Sequence, residues 1–350
     1  MAVKIIAVAK QLPKYHRETK EIIPFVKLWM QGQEKRFQRK VVKLFEGAGV
    51  DKRYSIMDPE EVFSATSFEE KNDIYTREVI QLAEQSLTKS LEKVGLEANQ
   101  IDYIITVSCT GIMIPSVDAY LINSLGMKQD IVRLPVTEMG CAAGVSGIIY
   151  AKNFLKANPN KRAAVIAVEA QTATFQLEDY SMTNIVSAAI FGDGASSVIL
   201  SSYKADEGPK IIDEAMYHFY DATSMMGFKL VNTGLQMILD KEVPKKISDH
   251  FPAIIHPFLK NNNMTIDDID YLIFHPGGKK IVQTVEDLFC VLGKNIDDTK
   301  EVLRLYGNMS SATVLYVLER FMDRNPAKGE RGIMLSFGPG FSAQRILLEW

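Results

Sequence analysis

Residues 73–94 place Ile74, Val79, Ile80, Leu82, Ala83, Leu87, Leu91 and Val94 at spacings of three, four and seven. That is one apolar face of an amphipathic helix. The pattern then changes: Ile101-Asp102-Tyr103-Ile104-Ile105-Thr106-Val107-Ser108 is nearly continuous in apolar character, as are 162–169 and 195–202. Runs of this kind predict strands of a sheet covered on both faces by helices. Residues 2–12 read as a first strand and 18–46 as helices. Residues 116–125 read as a further helix, and Phe191-Gly192-Asp193-Gly194 as a turn before the strand 195–202.

The second half repeats this plan. Ile269-Asp270-Tyr271-Leu272-Ile273 echoes Ile101-Asp102-Tyr103-Ile104-Ile105, and each follows an amphipathic helix, 246–260 in the second case. At nearly the same offset a helix at 308–323 matches the one beginning near Cys141. The strand at Arg331 matches that at Arg162, and the last strand, 342–349, follows Gly338-Pro339-Gly340 as 195–202 follows Gly192-Asp193-Gly194. Four elements in one order predict an internally duplicated α/β fold. One half, 1–205, carries a cysteine turn; the other, 206–350, carries a histidine and an asparagine.

Composition sets the class. The chain has 350 residues, 47% hydrophobic and 24% charged, an ordinary globular balance with material for a large core. A net charge of -3 gives no reason to expect nucleic acid. No apolar run is long enough to span a membrane, and the opening Met1–Lys10 reads as a strand rather than a signal segment. Three widely spaced cysteines form neither a disulfide framework nor a zinc site, so no metal is expected and a reducing cytoplasm is the simplest setting.

The candidate chemistry sits at 137–144, Thr-Glu-Met-Gly-Cys-Ala-Ala-Gly, between the extended stretch 131–136 and a helical pattern through Val145, Ile148, Ile149, Ala151 and Phe154. A small buried residue is the commoner fate of a cysteine. At a helix start, however, the dipole is expected to lower the thiol pKa. The duplication brings corresponding strand ends and helix starts together. The second half offers His275 directly after its strand, and Asn308 at its helix start, where capping is the plainer role. Thiol, imidazole and carboxamide at equivalent places describe acyl transfer onto sulfur followed by chemistry through an enolate.

Together, Gly140-Cys141-Ala142-Ala143-Gly144, Phe191-Gly192-Asp193-Gly194, His275-Pro276-Gly277-Gly278, Gly307-Asn308-Met309-Ser310-Ser311-Ala312 and Phe337-Gly338-Pro339-Gly340 resemble the type III polyketide synthases. These are the chalcone-synthase-like branch of the thiolase superfamily. Ser108-Cys109-Thr110-Gly111 and Ile114-Pro115-Ser116 are most similar to bacterial tetrahydroxynaphthalene synthases. The resemblance implies a thiolase-like five-layer αβαβα fold. It also implies iterative decarboxylative Claisen condensation of malonyl-CoA onto a Cys141-bound starter, then cyclisation to an aromatic or pyrone product. CoA thioesters serve as substrates, no cofactor is implied, and the enzyme is a homodimer.

By the same resemblance, Cys141 is the nucleophile and His275 its ion-pair partner, and His275 with Asn308 stabilises the enolate. Phe191 and Met237 are gate positions, the latter usually phenylalanine. Thr174, Ser310 and Cys109 shape the cavity, and Ile114 reaches into the partner subunit's cavity. Lys40 and Lys43 meet the CoA phosphates, a third basic position falling on Gly47. Ser336 replaces the first glycine of the Gly-Phe-Gly-Pro-Gly loop. The cluster Lys35, Arg36, Arg39, Lys40 and Lys43 reads otherwise as a solvated face. His16, His218, His250 and His256 match no catalytic position, and Cys290 reads as core. Alternatives are a β-ketoacyl carrier-protein synthase III-like enzyme making one condensation, a hydroxymethylglutaryl-CoA synthase needing a glutamate acid such as Glu138 or Glu169, and a catalytically silent structural partner.

Overall fold

The computed structural model describes residues 2–64, 67–290 and 293–350. The side chain of Cys290 lies outside the described residues. Nine strands form one mixed sheet in the order Tyr271–Phe274, Arg331–Gly338, Ser342–Glu349, Lys210–His218, Lys4–Gln11, Asp193–Ser201, Arg162–Ala170, Tyr103–Val107, Val132–Val136. The two halves of the chain meet between Lys4–Gln11 and Lys210–His218, at the single register pair Lys4–Lys210. On each side the same pattern recurs. Tyr103–Val107 runs parallel to Arg162–Ala170, which runs antiparallel to Asp193–Ser201; Tyr271–Phe274, Arg331–Gly338 and Ser342–Glu349 do likewise.

Both faces of these strands are buried, which is why their sequences are continuous rather than alternating. Ile105, Val107, Val165 and Ala167 pack on one side with the helices Ala143–Ala157 and Thr313–Arg324. Their neighbours Ile104, Ala164, Ile166 and Val168 pack on the other with the helices Phe68–Lys93 and Val117–Ser124. In the second half Met334 and Ile346 face the middle helices. Ile333, Leu335 and Leu347 face Val243–Asn261 and Lys279–Cys290. Helix, sheet, helix pair, sheet, helix is the five-layer αβαβα arrangement of the thiolase fold.

A fourth core joins Thr19–Trp29, Lys35–Gly47 and Met182–Ile190 over one end of the sheet. A hairpin of Met226–Val231 and Gly234–Leu239 stands apart from the main sheet. Its strands are six residues long and their glycines and charges break the alternation, so only the position of Met237 was marked in the sequence.

Candidate active site

Cys141 occupies a 3₁₀ turn, Gly140–Ala142, that leads into the helix Ala143–Ala157. Gly140 has φ +47, and a Cβ there would lie 2.7 Å from Cδ of Pro339. Only glycine allows both the left-handed backbone and this close approach. The Ser336 hydroxyl donates to the Cys141 carbonyl at 2.6 Å, so the departure from glycine at 336 ties the loop 336–340 to the Cys141 backbone.

The equivalent turn of the second half is Ser310–Ala312, ahead of the helix Thr313–Arg324. Ser310 repeats Gly140 with φ +47, a conformation that costs a non-glycine residue on the order of 1–3 kcal/mol. The turns touch: a Cβ on Gly144 would fall 2.3 Å from the Ser311 carbonyl oxygen. That closeness puts the Ser310 hydroxyl 3.6 Å from Sγ of Cys141.

His275 follows Tyr271–Phe274, its N–H donating to Leu335 at 3.0 Å. Asn308 is held by backbone bonds to the other half, its N–H to Ile190 at 2.8 Å and its carbonyl from Gly192 N–H at 3.0 Å. Its Oδ1 accepts from the Ser310 N–H at 2.8 Å and the Thr313 hydroxyl at 3.3 Å. Asn308 is not itself the N-cap, which falls on Met309, but its Oδ1 is committed to the turn, so Nδ2 is the free end. That nitrogen makes only a 3.3 Å bond to the Gly277 carbonyl.

The structure brings Cys141, His275 and Asn308 to one cavity of about 30 Å³, with Phe191, Met237 and Phe337 in its wall. His275 is 2% exposed and neither ring nitrogen has a partner, so its full hydrogen-bonding capacity is unspent. Burial pushes the imidazole down to about 3 and the Cys141 thiol up to about 11. The expectation of a thiol lowered by its helix start is corrected here. Desolvation outweighs the contact with the Ser310 hydroxyl that favours the thiolate, and the resting pair is neutral.

The remaining expected residues distribute around this centre. Cys109 lies beside it, Sγ 3.6 Å from the same Ser310 hydroxyl and 3.6 Å from Oε1 of Glu169. Glu169 is fully buried and accepts from the Ser311 hydroxyl at 2.5 Å, the Thr110 hydroxyl at 2.9 Å and the Cys109 N–H at 3.0 Å. Burial, then the Glu169 charge, hold the Cys109 thiol well above its ordinary value. Cys109 and Ile114 line a separate cavity of about 650 Å³, and Ile114 itself is 95% exposed. Thr174 lines a third cavity with Phe191 and Met237 rather than the central one.

The mouth is a cavity of about 480 Å³ that shares Ile190, Leu239, Gly277 and Ile281 with the central one. Lys43 lines it, with Lys241, Lys279 and Lys280. Lys40 does not: three residues earlier on the helix Lys35–Gly47, it is exposed and outside the lining. Lys279 donates to the Gly47 carbonyl at 3.1 Å, placing an ammonium where the helix itself has no side chain. Sequence reasoning missed Lys279 because the coincidence is spatial, across 232 residues of chain. Among the described residues, no group of three or more His, Cys, Asp or Glu is placed to hold a metal ion, and no helix is long and apolar enough to cross a membrane.

Comparison with known proteins agrees with this geometry. Residues 2–204 match the family model for the N-terminal domain of chalcone and stilbene synthases, and 212–349 match that for the C-terminal domain. A 1,3,6,8-tetrahydroxynaphthalene synthase from Streptomyces peucetius subsp. caesius is 33% identical over 88% of this chain and 83% of its own length. A putative chalcone synthase from Bacillus subtilis is 28% identical over 99% of this chain and 98% of its own. The crystal structure of 1,3,6,8-tetrahydroxynaphthalene synthase from Streptomyces coelicolor A3(2), 27% identical, superposes with a TM-score of 0.93 over 99% of both chains.

Proposed function

This chain belongs to the chalcone and stilbene synthase family, and on that premise we propose that Cys141, His275 and Asn308 carry out its chemistry. The enzyme is a type III polyketide synthase, an acyltransferase that extends an acyl starter by iterative decarboxylative condensation with malonyl-CoA and then cyclises the chain. The observation that carries the residue assignment is the shared cavity. A thiol, an imidazole with both nitrogens unpartnered and an amide N–H converge there.

Each step uses a group already in place. His275 accepts the thiol proton as Sγ of Cys141 attacks the starter thioester, and CoA leaves as the thiol with that proton. Malonyl-CoA then loses CO2. The negative charge that develops on its thioester oxygen is met by an N–H of His275 and by Nδ2 of Asn308. The enolate carbon attacks the Cys141 thioester, the new C–C bond forms, and the C–S bond breaks to release the Cys141 thiolate. That thiolate takes the extended chain back from CoA, and the CoA thiolate takes a proton from solvent.

A neutral resting pair has a pH signature. A thiol held at about 11 gains thiolate as pH rises, so without its base it reacts slowly at neutral pH. In His275→Gln, inactivation by iodoacetamide is expected to climb about tenfold per pH unit between 7 and 10. The unsubstituted enzyme reacts faster at pH 7, with a flatter profile. Identical profiles for the two proteins would remove His275 from the activation of Cys141.

The mouth seats the phosphates of CoA. Lys279 supplies a second cation beside Lys43, with Lys280 adjacent at the first turn of the helix Lys279–Cys290, where the dipole favours anions. Lys279→Glu is expected to raise KM for malonyl-CoA by about tenfold or more. Turnover of the malonyl thioester of N-acetylcysteamine, which has no phosphate, should change little. Equal losses with both thioesters would contradict a phosphate contact. The chain acts as a homodimer in a reducing cytoplasm. Exposed Ile112, Ile114, Tyr120 and Val132, at the edge strand Val132–Val136, form the face expected to meet the second copy.

A further inference from the structure

Behind the gate lies a chamber of about 90 Å³. The helix Met182–Ile190 separates it from the mouth. Met182, Thr183, Val186 and Ile190 line the mouth, whereas Asn184, Ser187 and Ala188 line the chamber. Phe191 and Met237 border both the chamber and the catalytic cavity, so a chain that passes them goes directly from Cys141 into this space. Phe45, Val62, Phe63 and Phe175 make much of its wall apolar. At about 10–15 Å³ per water, the volume holds roughly six to nine waters, enough for a short acyl tail.

Two polar side chains in this wall are out of balance. Arg53 is 7% exposed. Its Nη1 donates to the Ala188 carbonyl at 2.8 Å and its Nη2 to the Thr19 hydroxyl at 3.1 Å, but Nε has no partner. Ser187 is 8% exposed and its hydroxyl has no partner either. Burial lowers the Arg53 pKa to about 10, which leaves it a cation at neutral pH. Among the described residues no carboxylate pairs with it; the other guanidinium in the wall, Arg17, is already paired with Asp58 at 3.0 Å. A buried cation without a counter-charge is costly, and an occupant that brought one would be favoured.

We propose that this chamber receives the carboxylate end of an acyl group held on Cys141, with Arg53 and Ser187 as its ligands and the aromatic wall against its methylenes. The proposal rests on the polyketide synthase reading and adds a substrate class to it: starters of a few carbons that end in a carboxylate. A neutral tail of the same shape fills the same volume but leaves Nε of Arg53 and the Ser187 hydroxyl unpaired, and hydrogen bonds to charged groups are among the stronger ones.

Glutaryl-CoA and 5-methylhexanoyl-CoA make a matched pair, the second carrying an isopropyl group in place of the carboxylate. With malonyl-CoA as extender, kcat/KM for glutaryl-CoA is expected to exceed that for the neutral starter by about ten- to hundredfold. Arg53 also holds Thr19 and Ala188, so the decisive variant is at Ser187. Ser187→Asp supplies an internal carboxylate to Arg53 and is expected to reverse the preference; Ser187→Ala is expected to narrow it, and thermal melts of both confirm folding. Equal use of the two starters by the unsubstituted enzyme, or an unchanged preference in a folded Ser187→Asp, would overturn the proposal. No condensation with any starter, or with malonyl-CoA alone, would instead strike the polyketide synthase reading.

Discussion

Replacing Cys141 by alanine is expected to lower polyketide output by at least about 10³-fold while leaving measurable release of CO2 from malonyl-CoA. The split follows from the division of labour in the cavity. In the proposed mechanism Sγ of Cys141 holds the acyl group that the enolate attacks, so without it there is no electrophile. His275 and Asn308, the groups proposed to meet the developing oxyanion, sit on the other half of the chain and keep their own backbone anchors at Leu335, Ile190 and Gly192. Cys109 is not expected to stand in, because it lines a different cavity, and burial, then the Glu169 charge, hold its thiol well above its ordinary value. Output undiminished in Cys141→Ala, measured by mass spectrometry of extracted products, would move the nucleophile elsewhere.

Asn308→Ala is expected to slow malonyl-CoA decarboxylation by about 10²-fold or more, the effect of losing one oxyanion donor. The loss is specific to Nδ2, because Oδ1 spends itself on the Ser310 N–H and the Thr313 hydroxyl. Asn308→Asp separates the two functions. It keeps the acceptor that braces the Ser310 turn and replaces the donor by a negative charge, so it should decarboxylate no better than the alanine variant while melting closer to the unsubstituted protein. A near-normal CO2 rate in either variant, read directly as gas release or coupled bicarbonate, would remove Asn308 from the chemistry.

Much of this was legible in the chain because the fold is duplicated. Strands buried on both faces announce themselves as continuous apolar runs. The matching runs at 101–105 and 269–273 set the frame in which Cys141, His275 and Asn308 had to converge. What the sequence could not supply was contact between halves. Ser310 was read as a cavity residue, but its left-handed backbone and its place between two thiols follow from the facing turns. Beside Gly47, where the basic position is absent, the structure places Lys279, and Lys40, at helical spacing from Lys43, does not line the mouth. A helix start is visible in the sequence and burial is not, and it is burial that holds the Cys141 thiol above rather than below its ordinary value. Arg53 lay unnoticed in a short edge strand, Lys52–Ser55, where nothing in the local pattern marks a buried cation.

The measurement that tests the account most directly is the product spectrum of the purified protein given malonyl-CoA, first alone and then with short acyl-CoA starters, with no carrier protein present. The expected result is product carrying more than one ketide unit, released as a cyclised aromatic or pyrone and absent from Cys141→Ala. A single β-ketoacyl thioester, or condensation only when malonyl carrier protein replaces malonyl-CoA, would contradict iterative extension at Cys141 and favour a one-step ketoacyl synthase.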